Sequence, residues 1–588
     1  MSIIEDVTTG RMEPAYDPSA FRHVFETSFT WAAGFARNVH RYAGRVAMVD
    51  GTSGRTWTDA ELGDVTGALV AGLAARGVGP RDVVAYQLMN RPEFAFLYVA
   101  AQGLRAVSSP MNFRLAPAET GHILSRARPA VFVYEADSSA DVRRAIALSG
   151  HVPAVLAYVG EDPDPVPGSV PFEELLADGA PAFRAPEDAS VWDETSRLYT
   201  SGTTGMPKAV PLTSLNEVLT AHDVIMQFPL GPADRTMNMS PWFHRGGNYC
   251  AGPNTAFYTG AAVVTLLRFD PDVVLDAVER DRLTYVIGAP TNLERLAEAQ
   301  ETRPRDLSSL AGIVTMGAPL ERAAALRYQR VLTPRIANGY GTTEAFWNTY
   351  LRPEDLPGAA GAAGRACIDD DVAVVAVHAD RLSAPTETVP KDGATIGEVI
   401  MRSVKSGYGY VGDPEEQAKK FHDGWLYPGD LATWDADEIV TVVGRKDDMV
   451  ISGGENVHPV QVEEVLAGHA DVADSIVTGL PDPEWGEVVV AYVRPRADRL
   501  TDPQAAADEL DRFCRDSVSL ARFKRPRRYA FVSELPYTAT GKKQHFIMKE
   551  RAPEDAAAGR FVSPGTPGGT SAEARPRARD DGDRHDDR

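Results

Sequence analysis

The sequence predicts an α/β protein with a large N-terminal part, in which mixed and mostly parallel sheets are flanked by helices, and a smaller α+β C-terminal part. Two observations predict this class. Segments with apolar residues at helical spacing alternate with short apolar strands from about residue 21 to 135 and again from 271 to 300. Strands alternating with helices of this length form parallel sheets covered on both faces. After about residue 345, the predicted strands become shorter and are separated by DGW and PGD turns.

The individual elements follow from their apolar spacing and their boundary residues. The segment WTDAELGDVTGALVAGLAARG predicts a helix that begins at a Thr-Asp pair. The predicted helices span residues 57–77, 93–106, 271–283, 291–300, 457–469 and 504–518. The predicted strands span residues 81–88, 130–135, 284–290, 397–403, 438–444, 474–480 and 487–495. In folds of this kind, ligands bind in the loops that follow the carboxyl ends of the strands.

Length, charge and cysteine content exclude several classes of protein. The 588 residues exceed one domain of about 100–200 residues. The net charge of −22 argues against a nucleic-acid binder, which needs a basic face. No apolar run approaches the ~18 residues of a membrane span, and the first residues lack a signal-peptide core. Cys250, Cys367 and Cys514 are too few and too dispersed for a disulfide framework. We therefore expect a cytoplasmic, multidomain protein without a nucleic-acid partner or a membrane span.

The strongest motif is YTSGTTGMPKAV at residues 199–210. Glycine lets the backbone approach a ligand closely, exposed N–H and hydroxyl groups cradle phosphate, and a lysine neutralises its charge. The motif is not a Walker A loop, because no G-K-[ST] closes it and Lys208 follows a proline. A plain flexible loop is less favoured, because the motif lies behind a predicted strand. The predicted phosphate-binding residues are Thr200, Ser201, Gly202, Thr203, Thr204, Gly205 and Lys208.

This motif resembles the signature loop of the adenylate-forming superfamily, known as the ANL superfamily. The superfamily contains acyl- and aryl-CoA synthetases, peptide-synthetase adenylation domains and firefly-type luciferases. Its usual form ends in PKGV, whereas Ala209 replaces that glycine here. Further motifs follow in the family's order: MGAPL at 316–320, NGYGTTEA at 338–345, WLYPGD at 425–430, GRKDDMVISGGEN at 444–456 and PYTATGKKQHF at 536–546. Six ordered motifs identify the chain as a member of this superfamily.

The resemblance implies an ATP and Mg²⁺ site. Lys208 and Glu344 would handle the β- and γ-phosphates, with Glu344 holding Mg²⁺, a cation that prefers carboxylate and phosphate oxygens. Lys542 would be the essential lysine that bridges the acid's carboxylate and the α-phosphate. Tyr340 would stack on adenine, Thr343 would touch the α-phosphate, and Asp430 and Arg445 would bind the ribose. Pro428 replaces a common threonine beside Asp430. The other implied nucleotide contacts are Gly317, Ala318, Pro319, Asn338, Gly339, Gly341 and Thr342.

The basic run RFKRPRR at residues 522–528 could bind the phosphates of coenzyme A or could be a solvated surface, and charge alone supports both equally. The resemblance to aryl-CoA ligases favours coenzyme A. It implies that Phe523 and Arg525 contact the CoA nucleotide and that Trp485 stacks nearby. Gly453 and Gly454 would border the thiol tunnel. His244, in SPWFHRGG, stands where the family has a gate between the acid and thiol sites.

The resemblance also implies the domain organisation. Residues 1–445 would bind AMP and the acid, and would include a β-barrel-like subdomain built from the short strands after residue 355. Residues 446–552 would form a mobile cap that pivots at Asp447. Residues 553–588 would be a disordered tail, because their composition cannot bury a core.

The implied reaction is ATP-dependent activation of a small carboxylic acid to an acyl-adenylate, with release of pyrophosphate, and then transfer to coenzyme A. Bulky Phe243, Phe346 and Trp347 favour an aromatic or small acid. One alternative is an enzyme of a natural-product pathway that loads a carrier protein, or that activates nitrite to diazotise an aryl amine. Another is a catalytically silent ligand-binding relative. We expect a monomer or homodimer.

Overall fold

A computed structural model of the chain describes residues 18–201, 206–378, 381–452, 455–483, 485–496, 499–517, 520–538 and 543–565. The chain divides into two compact units. The first contains Met1–Asp447 and Tyr537–Lys543, and the second contains Asp448–Pro536 and Gln544–Arg588. The units divide after Asp447, whereas the expected boundary follows residue 445. His545–Ala557 form one helix, so the prediction that a disordered tail begins at residue 553 is wrong at its start.

Helices occur throughout both units, and each element that the apolar spacing predicted to be helical is a helix. In chain order the helices of the described residues are α1 Pro18–Ser28, α2 Trp31–Arg41, α3 Asp59–Ala75, α4 Pro92–Gly103, α5 Pro117–Ala127, α6 Ser139–Ser149, α7 Ser214–Gln227, α8 Arg245–Tyr249, α9 Pro253–Thr259, α10 Pro271–Asp281, α11 Pro290–Thr302, α12 Arg322–Val331, α13 Pro414–Lys420, α14 Pro459–Ala467, α15 Pro503–Asp516 and α16 His545–Ala557. Short 3₁₀ turns lie at Ala136–Ser138, Phe172–Leu175, Pro353–Asp355 and Arg522–Lys524.

The strands alternate with the helices in the first half of the chain and dominate residues 336–457. In chain order those of the described residues are β1 Val46–Val49, β2 Thr56–Thr58, β3 Val83–Gln87, β4 Val107–Pro110, β5 Val131–Glu135, β6 Val155–Val159, β7 Ser169–Pro171, β8 Glu194–Ser201, β9 Pro207–Thr213, β10 Arg235–Asn238, β11 Ala262–Val264, β12 Tyr285–Gly288, β13 Gly312–Met316, β14 Ile336–Thr342, β15 Phe346–Leu351, β16 Arg365–Ala366, β17 Asp370–Val375, β18 Gly397–Ser403, β19 Phe421–His422, β20 Trp425–Leu426, β21 Asp430–Trp434, β22 Val440–Arg445, β23 Val450–Ser452, β24 Glu455–Val457, β25 Val472–Asp482, β26 Gly486–Pro495 and β27 Arg528–Phe531.

The start of α3 shows how local sequence sets an element boundary. Thr58 precedes the helix and its Oγ1 accepts a hydrogen bond from the Glu61 backbone N–H at 3.2 Å. The Glu61 carboxylate in turn accepts the Thr58 backbone N–H at 2.8 Å. This capping box satisfies two of the backbone donors that a helix start leaves unpaired. The Thr-Asp start predicted from the sequence is therefore correct.

Two large sheets form the body of the first unit. The seven-stranded sheet has the order β7-β6-β5-β3-β4-β8-β9, and its strands are parallel except for β9, which is antiparallel to β8. The nine-stranded sheet has the order β16-β15-β14-β13-β12-β10-β11-β1-β2 and is parallel from β14 to β1. One hydrophobic core joins residues of both sheets to α4, which is buried along nearly its whole length. The predicted mixed, mostly parallel α/β class is confirmed.

A third sheet occupies the region predicted as a β-barrel-like subdomain. Its six strands are antiparallel and follow the order β19-β20-β18-β21-β22, with β17 paired to β18. The second unit contains a separate sheet in the order β24-β23-β26-β25, and β27 joins β26 in parallel. Helices α14 and α16 contact β25, α15 contacts β27, and a core of its own includes Val462, Leu466 and Tyr529. No helix within the described ranges is long and apolar enough to cross a membrane.

Candidate active site

The two ends of the predicted phosphate-binding segment lie on β8 and β9, which are paired antiparallel strands. Strand β8 precedes it, as predicted, and β9 follows it, with Thr200 opposite Lys208 and Ser201 opposite Pro207. Gly202, Thr203, Thr204 and Gly205 lie outside the described residues. The Lys208 side chain is only 9% exposed, and its Nζ lies 2.6 Å from Oε2 of Glu416. The predicted lysine is thus already ion-paired within the first unit.

Glu344 lies in the tight turn between the antiparallel strands β14 and β15. Its buried carboxylate accepts a hydrogen bond from the Tyr410 hydroxyl at 2.5 Å. Burial and this carboxylate raise the pKa of Tyr410, so the hydroxyl remains a donor. The Glu344 backbone carbonyl accepts hydrogen bonds from Arg245 Nη1 at 2.8 Å and from the Gly407 N–H at 2.9 Å. Both ends of Glu344 are therefore held in place.

The β14 sequence NGYGTT needs its glycines because the neighbouring turn folds back onto it. A Cβ at Gly341 would lie 1.6 Å from the Phe346 carbonyl oxygen, and one at Gly339 would lie 2.4 Å from the Trp347 ring. Phe346 itself has a φ of +63°, which is uncommon for a bulky residue. Phe346 and Trp347 are buried in the main core, where Trp347 Nε1 donates to Asp223.

The MGAPL and NGYGTT segments emerge side by side, because β13 and β14 are parallel neighbours with Thr315 opposite Asn338 and Met316 opposite Gly339. Thr315 Oγ1 donates to Asn338 Oδ1 at 2.8 Å and joins the two strands. Gly317 follows β13 with a φ of +84°, a conformation that favours glycine. Ala318 and Pro319 continue that loop, and Thr342 Oγ1 accepts the Ala345 N–H at 3.2 Å.

Tyr340, Asp430 and Arg445 form one cluster, although 90 residues separate the first two. The Tyr340 hydroxyl donates to Asp430 Oδ2 at 2.7 Å, and Arg445 Nη1 donates to Asp430 Oδ1 at 2.7 Å. Strands β21 and β22 are antiparallel and place Asp430 directly opposite Arg445. Pro428, the departure from the family pattern, contributes its carbonyl, which accepts from Arg445 Nη2 at 3.2 Å. Asp447, the predicted pivot, is the last residue of this part of the first unit.

His244 lies just before α8, with its ring 4.2 Å from the Phe243 ring. Burial, and to a smaller extent the Arg114 charge, lower the pKa of His244 to about 4, so the imidazole is neutral near pH 7. Its buried Nε2 has no hydrogen-bond partner among the described residues. A neutral ring with a buried, unpaired nitrogen fits a residue beside a ligand better than a structural histidine, which is normally hydrogen-bonded.

Two buried cationic residues near the Glu344 turn, Arg245 and Lys405, were not among the residues predicted from the sequence. Arg245 is 2% exposed, and its guanidinium also donates to the carbonyls of Thr343 at 2.9 Å and Lys405 at 2.6 Å. Lys405 is 1% exposed, and its Nζ lies 2.8 Å from Asp223 Oδ2 and 2.7 Å from Asp370 Oδ2. A lysine or arginine flanked by apolar and small residues, as in FHRGG and SVKSG, is the signal that could have identified them.

The first unit has a cleft of about 680 Å³ at the carboxyl ends of strands from both large sheets. Asn90 follows β3, Glu135 ends β5, Ser240 follows β10, Leu266 follows β11 and Asn292 follows β12. This is the position expected for ligand binding in folds of this class. The cleft also includes Pro241, which lies three residues before His244.

The second unit carries the residues predicted to contact coenzyme A. Trp485 is 45% exposed, with the Arg527 guanidinium 5.9 Å above its ring, and Phe523 is 41% exposed. Arg525 Nε donates to Asp511 Oδ1 at 2.7 Å, so this predicted phosphate ligand has a carboxylate partner. Gly453, Gly454 and Lys542 lie outside the described residues.

The donor set around Glu344 fits Mg²⁺. Within the described ranges, no group of three or more His, Cys, Asp or Glu side chains could hold a metal ion by itself. Mg²⁺ is commonly bound by one or two carboxylates together with substrate phosphates, so a single carboxylate is sufficient. Glu344 is the predicted carboxylate, and Lys208 is the predicted cation for the same phosphates.

A large α/β unit that contains the Tyr340–Asp430–Arg445 cluster, together with a smaller α+β unit, agrees with the architecture of an AMP-binding enzyme. The chain belongs to this family: residues 35–411 match the AMP-binding enzymes, and residues 461–542 match the C-terminal domain of AMP-binding enzymes. The membership inferred from the six motifs is confirmed.

Several characterised proteins are similar along most of their length. A feruloyl-CoA synthase of Amycolatopsis is 34% identical over 494 residues, covering 83% of this chain and 92% of that protein. An indoleacetate–CoA ligase of Aromatoleum aromaticum is 33% identical and covers 82% and 91%. The crystal structure of the anthranilate CoA ligase AuaEII with anthranoyl-AMP has a TM-score of 0.81 at 26% identity, covering 90% and 98%.

Proposed function

We propose that the protein is an AMP-forming ligase that joins a small carboxylic acid to coenzyme A in two steps. In the first, a carboxylate oxygen attacks the α-phosphorus of ATP and pyrophosphate leaves. In the second, the thiol sulfur attacks the acyl carbon of the adenylate, AMP leaves and the thiol proton is lost. The observation that supports this most strongly is the cluster of Tyr340, Asp430 and Arg445 in a chain that belongs to the AMP-binding enzymes.

The first step needs positioning and charge neutralisation rather than an acid–base triad. Asp430 accepts hydrogen bonds through both oxygens, and the ribose hydroxyls would share these oxygens with Tyr340 and Arg445. Lys208 would approach the β- and γ-phosphates from the β8–β9 hairpin. Mg²⁺, held by Glu344 and phosphate oxygens, would supply further charge neutralisation. Lys542 would approach the carboxylate and the α-phosphate.

The acid is proposed to be aromatic or small. The Phe243 ring lies 4.2 Å from the His244 ring, the Phe346 and Trp347 rings lie 4.7 Å apart just after the Glu344 turn, and all three aromatic side chains are buried. The feruloyl, indoleacetate and anthranilate ligases support an aromatic acid by analogy. His244, neutral at pH 7, would separate the acid from the thiol without placing a second charge beside the carboxylate.

Coenzyme A is proposed to reach the acyl-adenylate through the second unit. The exposed rings of Trp485 and Phe523 offer surfaces on which an adenine can stack. Arg525 would exchange part of its contact with Asp511 for a phosphate. Gly453 and Gly454 would border the pantetheine thiol.

A cytoplasmic location is proposed, because Cys250, Cys367 and Cys514 are buried and form no disulfide. The protein is proposed to be a monomer or homodimer.

The decisive experiment is incubation with ATP, Mg²⁺ and a panel of aryl and short acyl acids, with and without coenzyme A, followed by mass identification of products. We expect acid-dependent pyrophosphate release, and an acyl-CoA only when coenzyme A is present. Adenylate formation without any thioester would favour the alternative in which a carrier protein is loaded. Pyrophosphate release with nitrite, and a diazotised product from an added aryl amine, would favour the alternative in which nitrite is activated. Absence of pyrophosphate release with every substrate would contradict the proposal.

A further inference from the structure

One short segment contacts both side chains proposed to handle the β- and γ-phosphates. We call residues 404–416 the phosphate-flanking segment. Its Tyr410 hydroxyl donates to the Glu344 carboxylate, and its Glu416 carboxylate accepts from Lys208 Nζ at 2.6 Å. Glu344 and Lys208 therefore each have a hydrogen-bonding partner in the protein, and both partners belong to the same segment.

The phosphate-flanking segment is held on both sides by backbone contacts, so its two side chains have defined positions. The Val411 N–H donates to the Ala209 carbonyl and the Gly407 N–H donates to the Glu344 carbonyl, both at 2.9 Å. Asn216 Nδ2 donates to the Val404 carbonyl at 3.0 Å. Arg126 Nη2 donates to the Gly412 carbonyl at 2.7 Å. The segment is thus attached to the phosphate hairpin and to the Glu344 turn at the same time.

The Lys208–Glu416 ion pair differs from an ordinary surface pair. The two side chains are only 9% and 13% exposed, so water screens their attraction weakly. Glu416 also has a second cation, because Lys419 Nζ lies 3.0 Å from its other oxygen. Hydrogen bonds from Lys208, and next from Lys419, lower the pKa of Glu416, which keeps it ionised at neutral pH.

We propose that Glu416 is a positioning residue: it holds Lys208 before the nucleotide binds and competes with the triphosphate and with pyrophosphate for that ammonium group. This inference rests on the proposed role of Lys208. The Glu416 carboxylate and the phosphates of ATP compete for the same ammonium group of Lys208. Binding of ATP therefore weakens the Lys208–Glu416 contact. Lys419 remains beside Glu416 afterwards, which avoids the large cost of leaving a partly buried carboxylate unpaired.

Glu416→Gln tests this competition, because it keeps the size and one oxygen acceptor and removes the charge. We expect the dissociation constants of ATP and pyrophosphate, measured by titration calorimetry in the absence of acid, to fall about three- to tenfold. The KM for ATP should fall in parallel. The kcat should stay within about twofold, because Lys208 contacts the phosphates in both proteins at saturating ATP. A merely structural role would not lower KM while leaving kcat unchanged.

Glu415→Gln is the matched control. It removes the same charge from the same first turn of α13, but the Glu415 side chain is 83% exposed and pairs with Lys419 at 2.9 Å. We expect ATP affinity in Glu415→Gln to stay within about twofold of the unmodified protein. In a Lys208→Met background, Glu416→Gln should no longer change ATP affinity, because the two effects act through one contact.

Several outcomes would overturn the inference. Unchanged or weaker ATP binding by a folded Glu416→Gln protein would do so, and so would an equal gain in Glu415→Gln or a gain that persists in the Lys208→Met background. If Glu416→Gln melts at a lower temperature than the unmodified protein, Glu416→Ala is measured in the same way and must show the same gain. Unmodified protein that binds neither ATP nor pyrophosphate would overturn the proposed function together with this inference. Normal ATP binding without a Glu416 effect would overturn this inference alone.

Discussion

Asp430, the proposed ribose ligand, is a carboxylate that two protein donors hold in place. Each of its oxygens already accepts one hydrogen bond, from Tyr340 and from Arg445, and the side chain is almost fully buried. An ionised carboxylate has about four acceptor positions, so two remain for the vicinal hydroxyls of a ribose. The two protein donors fix the carboxylate without exhausting it. The geometry therefore supports the role that the resemblance implied.

Lys542→Ala should separate the two half-reactions. We expect acid-dependent pyrophosphate release to fall by at least about 100-fold, because the lysine charge is needed where carboxylate and α-phosphate approach each other. Thioester formation from a supplied acyl-adenylate should stay within about threefold. Lys543→Ala, one residue away, should change neither rate by more than about threefold. A parallel loss of both half-reactions in Lys542→Ala would contradict the assigned role.

His244 should make stability depend on acidity. Its folded pKa of about 4 lies below the ordinary value near 6.5, so between these values the unfolded chain binds a proton that the folded chain does not. Stability is therefore lost as pH falls from about 6.5 towards 4. Between pH 7.5 and 5.0, the protein should lose about 1–2 kcal/mol more of its free energy of unfolding than His244→Asn does. Urea unfolding at the two pH values measures this, and an identical pH response would show that His244 titrates normally.

The pairing of β8 with β9 gives a reason for a lysine at the proposed phosphate-binding segment. Many phosphate loops lead directly into a helix, whose N-terminus contributes partial positive charge. Here the residue after the loop begins strand β9, and helix α7 starts only at Ser214. A hairpin supplies backbone N–H groups but no aligned helix dipole. In the proposed site, Lys208 near the start of β9 would therefore carry the charge neutralisation on this side of the nucleotide.

The β14–β15 turn depends on the buried cation behind it. Arg245→Met would leave the carbonyls of Thr343, Glu344 and Lys405 without their guanidinium donor, and the position of the Glu344 carboxylate would change. We expect kcat for pyrophosphate release to fall at least about tenfold and the Mg²⁺ concentration for half-maximal rate to rise. A titration with Mg²⁺ at saturating ATP measures both quantities.

Arg305→Met is the matched control for this prediction. Arg305 has a side chain that is 3% exposed and paired with Asp272 and Asp276, and it lies in the helical layer of α10 and α11. Its removal should lower stability without changing the Mg²⁺ dependence. If both variants change the Mg²⁺ dependence equally, the effect of Arg245 arises from general destabilisation rather than from the turn.

Each of the two units has its own sheet system and hydrophobic core, and the proposed nucleotide residues Lys208, Tyr340, Glu344, Asp430 and Arg445 all belong to the first. A ligand that binds only the folded state stabilises it by RT ln(1 + [L]/Kd), about 2.7 kcal/mol at 100 times the dissociation constant. AMP at that concentration should therefore raise the melting temperature by a few degrees in scanning calorimetry.

Asp430→Asn should abolish most of this AMP-induced shift, because the amide offers one acceptor oxygen in place of two. Asp437→Asn removes the same charge from an exposed turn between β21 and β22, and should keep the full shift. Equal shifts in both variants would argue that AMP binds elsewhere.

Much of the molecule follows from local patterns. Apolar periodicity identified helices such as α3 and α10 and strands such as β3 and β12, because burial of one face is a property of a few consecutive residues. Ordered motifs identified the family, because groups that bind phosphate, ribose and Mg²⁺ are of few chemical types. The net charge of −22 gave no indication of the local cations Lys208, Arg245 and Arg445, because an overall sum contains no information about where individual charges lie.

The contacts between remote residues could not be derived from these patterns. Lys208 meets Glu416 across 208 residues, and Glu344 meets Tyr410 across 66. Asp430 faces Arg445 because of the register of two antiparallel strands, and Arg245 reaches the Glu344 turn because the core leaves it no route to solvent. Local sequence thus determined which chemical groups this protein has and which elements carry them. Packing of the sheets determined which of those groups are partners, because hydrogen bonds and ion pairs depend on distances that only the assembled fold brings to about 3 Å.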